Sequence, residues 1–241
     1  MSDSETHFGF RRVARDDKAG LVRDVFDRVA GRYDLMNDAM SMGLHRAWKT
    51  AFVGWLAPRG AMRIADLAGG TGDIASRILD RAPEAEITVI DINAEMLAVG
   101  RQRVAGVDWV CGDAEKLPLP DSSLDAVTMA FGIRNCTDPA AVLAEARRVL
   151  RPGGRFMCLE FSRIQVVGLD GVYDAYSFQA IPRIGGLLAG DRDAYQYLVE
   201  SIRQFPDQPT FAAMIEAAGL SQVKFRNLAG GVAAMHSAWR V

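Results

Sequence analysis

Arg63-Ile64-Ala65-Asp66-Leu67-Ala68-Gly69-Gly70-Thr71-Gly72-Asp73 is the stretch on which the fold turns. Arg63 to Leu67 reads as a short buried strand, and the glycines lead into a helix over Asp73 to Ala82 that Pro83 closes. Glycine tolerates positive φ and lets a backbone approach a ligand closely, while the helix that follows presents free N–H groups. A ligand is expected on that turn. Gly70-Thr71-Gly72-Asp73-Ile74-Ala75 also satisfies the G-x-G-x-x-G/A pattern of dinucleotide-binding folds, and a tight strand-to-helix turn with no ligand explains the same glycines. Asp91, about 20 residues on at the end of a second strand over Glu86 to Asp91, can accept hydrogen bonds from ribose hydroxyls in either ligand-binding reading. The acid therefore says nucleoside without saying which one.

Outward from this turn, β-type runs alternate with helix-type stretches, the order expected of a mostly parallel sheet with helices on both faces. A helix over Glu95 to Val104 is followed by strands near Val107 to Cys111 and Leu124 to Ala130. Pro139 opens a helix to Leu150, Arg151-Pro152-Gly153-Gly154 ends it, and Arg155 to Phe161 forms a fifth strand. Gln222 to Leu228 and Val232 to Trp239 look like a closing antiparallel pair. The bulk numbers agree with one domain: 241 residues, 49% hydrophobic, and a formal net charge of -2 that gives no field for holding nucleic acid. Cys111, Cys136 and Cys158 lack metal or redox spacing and read as small buried hydrophobes. The polar stretch Met1 to Lys18 does not resemble a signal peptide, and no apolar run is long enough to span a bilayer, so a cytoplasmic protein is expected.

Two later features favour S-adenosylmethionine. Gly112-Asp113-Ala114-Glu115 follows the third strand, where an Asp side chain and the next N–H could hold an adenine edge. The strand from Leu124 ends at Ala130-Phe131-Gly132-Ile133-Arg134-Asn135, on the carboxyl edge where open α/β sheets bind ligands. This order resembles the class I methyltransferase fold, a Rossmann-like seven-stranded sheet, mostly parallel with an antiparallel final strand. Tyr33-Asp34-Leu35-Met36-Asn37-Asp38-Ala39-Met40-Ser41-Met42-Gly43-Leu44-His45-Arg46-Ala47-Trp48 is similar to the amino-terminal signature of the ubiquinone/menaquinone biosynthesis C-methyltransferases, the UbiE type. Arg148 to Ser162 fits the family's second signature, and Tyr173 to Gly185 and Glu200 to Pro206 extend the resemblance over nearly the whole chain.

The resemblance implies one methyltransferase domain over residues 1–241: a helical lid or substrate segment at 1–60, a cofactor core at 61–163, a substrate-side insertion at 164–221 and closing strands at 222–241. It implies S-adenosylmethionine as methyl donor and no metal, with the cofactor held by Asp66, Gly69, Gly70, Thr71, Gly72, Asp91, Asn93, Asp113, Ala114 and Ala130. Ala130 stands where the family often has Ser, so any contact there must come from backbone. The acceptor implied is a polyprenyl quinol ring, a methoxybenzoquinol or a demethylnaphthoquinol. Its phenolic proton must leave so that electron density reaches the ring carbon. Arg134, Asn135, Tyr33 and Asp34 fall at the catalytic positions, with Arg134 expected as the electrostatic partner of the phenolate because a guanidinium is a poor base. A structural arginine holding loop carbonyls is the plainer alternative for Arg134. His45 could serve as a base, though packing explains it as well. The apolar stretch Ile164 to Gly190 could guide the tail and touch the inner membrane surface, or form a buried helical pair used in a homodimer. Two rival functions use the same residues: a nicotinamide-dependent oxidoreductase, and a non-catalytic scaffold of a quinone-biosynthesis complex.

Overall fold

The computed structural model describes residues 5–29, 38, 41, 43–164 and 192–241. Among these, the chain opens with a hairpin, β1 (Glu5–Phe8) and β2 (Arg11–Ala14), then runs through helices α1 (Arg15–Val29) and α2 (His45–Leu56). The core follows as β3 (Arg63–Leu67), α3 (Asp73–Leu79), β4 (Glu86–Asp91), α4 (Ala94–Arg103), β5 (Val107–Cys111), β6 (Leu124–Ala130), α5 (Pro139–Val149) and β7 (Leu150–Phe161). Helices α6 (Arg192–Gln204) and α7 (Gln208–Ala217) precede β8 (Ser221–Leu228) and β9 (Ala233–Trp239). The sheet order is β5-β4-β3-β6-β7-β9-β8, and β9 alone runs against the rest, wedged between β7 and β8. This is the seven-stranded arrangement expected from the sequence.

Period-two alternation divides the core into two layers. Ile64, Ala126, Met157 and Leu159 face one side and pack with Trp48, Phe52 and Val53 of α2, Ile74 and Ile78 of α3, and Leu198 of α6. Their neighbours Ala65, Val127, Phe156 and Cys158 face the other, under Val142 and Leu143 of α5 and Phe211 and Ile215 of α7. Each fully buried aliphatic or aromatic side chain contributes about 1.5–3 kcal/mol. The helices begin where side chains can cap them: Asn93 accepts from the Met96 amide, Asp138 from Ala140 and Ala141, and Asp207 from Thr210.

Three local expectations need correction. The amino-terminal segment is not wholly helical, because Gly9 at φ +58 turns Glu5 to Ala14 into a hairpin. Strand β7 begins at Leu150 rather than Arg155, with the Pro152-Gly153-Gly154 stretch absorbed as a register shift against β6. Cys111 is exposed on the outermost strand, while Cys158 is buried as expected.

Candidate active site

The parallel strands bring their carboxyl ends to one edge, and the sheet order reverses direction between β3 and β6. There the floor of a cleft is built from two strained turns. Ala68, after β3, has φ 48, and Phe131, after β6, has φ 59. Non-glycine residues adopt such angles at a cost of order 1 kcal/mol or more, which packing must hold in place. The turns lie so close that a Cβ on Gly132 would sit 2.5 Å from the Ala68 Cβ. Gly70 takes φ 54 and donates its N–H to Asp91 Oδ2 at 2.8 Å, while the Asn93 amide donates to Oδ1 at 2.8 Å. The Asp91 carboxylate is thereby oriented, with lone pairs remaining for hydroxyl donors. Desolvation pushes its pKa up, against the pull of those backbone donors.

Asp66, fully buried on β3, accepts from Thr128 Oγ1 of β6 at 2.8 Å, across the reversal point. Its other oxygen, Oδ2, has no hydrogen-bond partner, and a Cβ on Gly69 would come within 2.7 Å of it. Burial pushes the Asp66 pKa up to about 7, only partly offset by the Thr128 hydrogen bond.

The main cleft lies on the carboxyl edge and is open to solvent. Gly70, Asp91, Asn93, Asp113 and Ala114 line it together with Asn135. Asp66, Gly69, Thr71 and Ala130 line a second, smaller cavity, which shares Ala68 and Gly70 with the first. Asn93 has little freedom, since its oxygen caps α4 and its Nδ2 donates to Asp27 at 2.7 Å. Gly72 lines neither cavity; its φ of 79 and a would-be Cβ 2.6 Å from Trp109 Cη2 make it a packing glycine. Asp113 folds back to accept from the Glu115 amide at 2.8 Å.

Arg134 stands behind the cleft rather than in it. Its Nη1 donates to Glu160 Oε1 and to the Phe131 carbonyl, both at 2.7 Å, and both side chains of the ion pair are buried. The Glu160 carboxyl is pushed up by burial, against the pull of the guanidinium. Asn135 lines the cleft and accepts from the Tyr197 hydroxyl at 3.1 Å. His45 bonds Asp38 through Nε2 at 2.8 Å, and burial foremost lowers its pKa. Tyr33, Asp34, Asn37, Tyr173, Tyr176 and all of the 164–190 stretch beyond Ile164 lie outside the described residues.

Sequence reading missed the wall formed by α1. Ala19, Val22, Arg23 and Phe26 line the cleft at spacings of three and four, one face of a helix. Three ties hold that helix down: Arg15 to Asp138 at 2.9 Å, Lys18 Nζ to the Cys136 carbonyl at 2.6 Å, and Asp27 to Asn93. Glu115 locks the loop after β5 to the loop after β6 by accepting from the Thr137 and Asp138 amides. The spacing in α1 was the available signal; the ties to distant loops have none. Among the described residues no group of His, Cys, Asp and Glu is placed to hold a metal ion, and no helix is long and apolar enough to cross a membrane.

Known proteins resemble this chain at two levels. In fold, it superposes on an S-adenosylmethionine-dependent methyltransferase of Thermotoga maritima with TM-score 0.67 at 18% identity, covering 91% of this chain and 100% of that one. It also superposes on phosphoethanolamine N-methyltransferase 2 of Haemonchus contortus, solved with S-adenosyl-L-methionine, with TM-score 0.58 at 14% identity over 80% and 52% of the two chains. In sequence, it is 58% identical to the ubiquinone/menaquinone biosynthesis C-methyltransferase UbiE of Dinoroseobacter shibae, over 100% of this chain and 98% of that protein. It is 60% identical to the UbiE of Paracoccus denitrificans, over 98% and 97%. The family model for the ubiE/COQ5 methyltransferases matches residues 11–240, and the chain belongs to that family.

Proposed function

We propose that this protein transfers a methyl group from S-adenosylmethionine to a ring carbon of a prenylated quinol in ubiquinone or menaquinone biosynthesis. The observation that carries the reading is the joined pair of cavities on the sheet's carboxyl edge, in a chain nearly 60% identical to relatives of that name. The residues fit the cofactor: a bare glycine turn, an oriented Asp91 carboxylate and a buried Asp66 oxygen that lacks a partner. Asp91 would accept from the ribose hydroxyls, Asp113 and the Ala114 amide would hold the adenine edge, and Asp66 Oδ2 would take the ammonium of the amino-acid end. When bound, the cofactor supplies an electrophilic methyl on a sulfonium.

The chain's own residues then orient and exclude. The face of α1 forms one wall of the cleft and narrows its opening to solvent. Of the pair after β6, Asn135 is the residue that reaches the cleft and would touch the acceptor. Arg134 acts through the loop it clamps and through the positive end of its ion pair, so it is a positioning residue here. Ring methylation also requires the phenolic proton to leave, which raises electron density at the adjacent carbon.

Purified protein incubated with methyl-labelled S-adenosylmethionine and, separately, a reduced methoxybenzoquinol and a reduced demethylnaphthoquinol tests the reading. Label should appear on a ring carbon of at least one acceptor. Cofactor binding with label on neither would leave a scaffold, and the proposal would fail.

A further inference from the structure

The second cavity contains one residue that neither the motifs nor the relatives' names assign. Lys49, on α2, is 4% exposed, and it lines that cavity with Asp66, Gly69, Gly70, Thr71 and Ala130. Its Nζ donates to Asp73 Oδ2 at 2.7 Å. Asp73 is shared, because Arg77 Nε donates to its Oδ1 at 2.8 Å. Asp73 thus divides its charge between two cations, and the Lys49 ammonium carries three donors of which Asp73 takes one. The cavity thus offers an ammonium with donors to spare, and also a buried carboxyl oxygen, Asp66 Oδ2, without a partner. A ligand that satisfies both must carry an anion and a cation together, as a free amino acid group does. Because the cavity shares Ala68 and Gly70 with the main cleft, an elongated molecule can lie in both, its nucleoside by Asp91 and its zwitterion here.

We propose that Lys49 is the residue that binds the carboxylate of the cofactor's amino-acid end. The inference rests on the S-adenosylmethionine reading and deepens it. Lys49 would act by placing the amino-acid end, and through it the sulfonium, at the glycine turn.

A cycle of calorimetric titrations separates this role from a structural one. The ligands are S-adenosylmethionine and its decarboxylated analogue; the proteins are wild type, Lys49→Gln and Lys49→Arg. Wild type should bind the decarboxylated analogue about tenfold more weakly, the size expected for one charge-assisted hydrogen bond. Lys49→Gln should bind both ligands alike, and Lys49→Arg should keep most of the preference. If wild type does not discriminate, or if Lys49→Gln weakens both ligands equally while the preference persists, the assignment is overturned. The comparison of ligands on wild type stands even if a variant fails to fold. If wild type binds neither ligand, the failure lies with the methyltransferase reading itself.

Discussion

Asp66 is a carboxylic acid kept in an environment that resists its charge. Its folded pKa of about 7 lies above the ordinary 3.8, so between those values the native state holds a proton that the unfolded chain has lost. Stability from this group is therefore full below about pH 4 and falls as pH rises to 7, by a few kcal/mol in the ligand-free protein. Asp66→Asn should remove that slope: relative to wild type its melting temperature should rise steadily from pH 4 to pH 8. A difference independent of pH would show that the carboxyl is not the cause. Arg134 makes the opposite case, a charge that needs its partner. Arg134→Ala would strand Glu160 in the core at a cost of about 3–5 kcal/mol, read by urea unfolding. Adding Glu160→Gln should recover part of that loss, and no recovery would place the damage in packing instead. A carbonyl-holding Arg134 was among the readings the sequence offered, and its bond to the Phe131 carbonyl matches it; the Glu160 partner, 26 positions away, and the Thr128 partner of Asp66, 62 away, were not legible. The motif identified both residues; only the cross-strand geometry separates an acid with a spare oxygen at a cavity from a clamped arginine.

At the scale of elements, the glycine turn is braced from outside by Trp109. The indole edge on β5 fits a notch between two glycines: a Cβ at Gly100 would come 2.3 Å from Cη2, and one at Gly72 would come 2.6 Å from the same atom. Alanine in place of a helical glycine ordinarily stabilises by about 1 kcal/mol. Here Gly100→Ala should instead destabilise by about 1–3 kcal/mol, because a rigid ring on one side and the Thr71 backbone on the other cannot retreat. Urea midpoints of this variant, alone and with Trp109→Leu, check it; an equal penalty in both backgrounds would exonerate the indole. The core elements were readable because each has a local cause: a short buried run in β3, a proline start with an Asp cap in α5, an Asn cap in α4. The hairpin over Glu5 to Ala14 was not, since its stabilising contacts are remote. Phe8 stacks on Tyr197 with ring centroids 4.2 Å apart, and the Phe10 amide donates to Glu200.

For the molecule as a whole, sequence pattern left a dinucleotide fold and a methyltransferase fold both open at the first glycine turn. The sheet separates them through its last strand, and the relatives agree with the sheet. Because β9 lies between β7 and β8, a chain stopped after Val232 loses the strand that joins them. Such a chain should lose hydrogen-exchange protection over Ser221–Leu228 while β3, β4 and β6 keep theirs; uniform loss would mean the sheet is one cooperative unit. The same insertion bears on the order of assembly during synthesis. Strands β3 to β7 can form their parallel ladders as soon as Phe161 has emerged, but β8 must wait, fully made, for a strand that follows it. Emergence of Ala233–Trp239 from the ribosome, and not completion of the parallel ladders, therefore fixes the moment at which the sheet becomes whole.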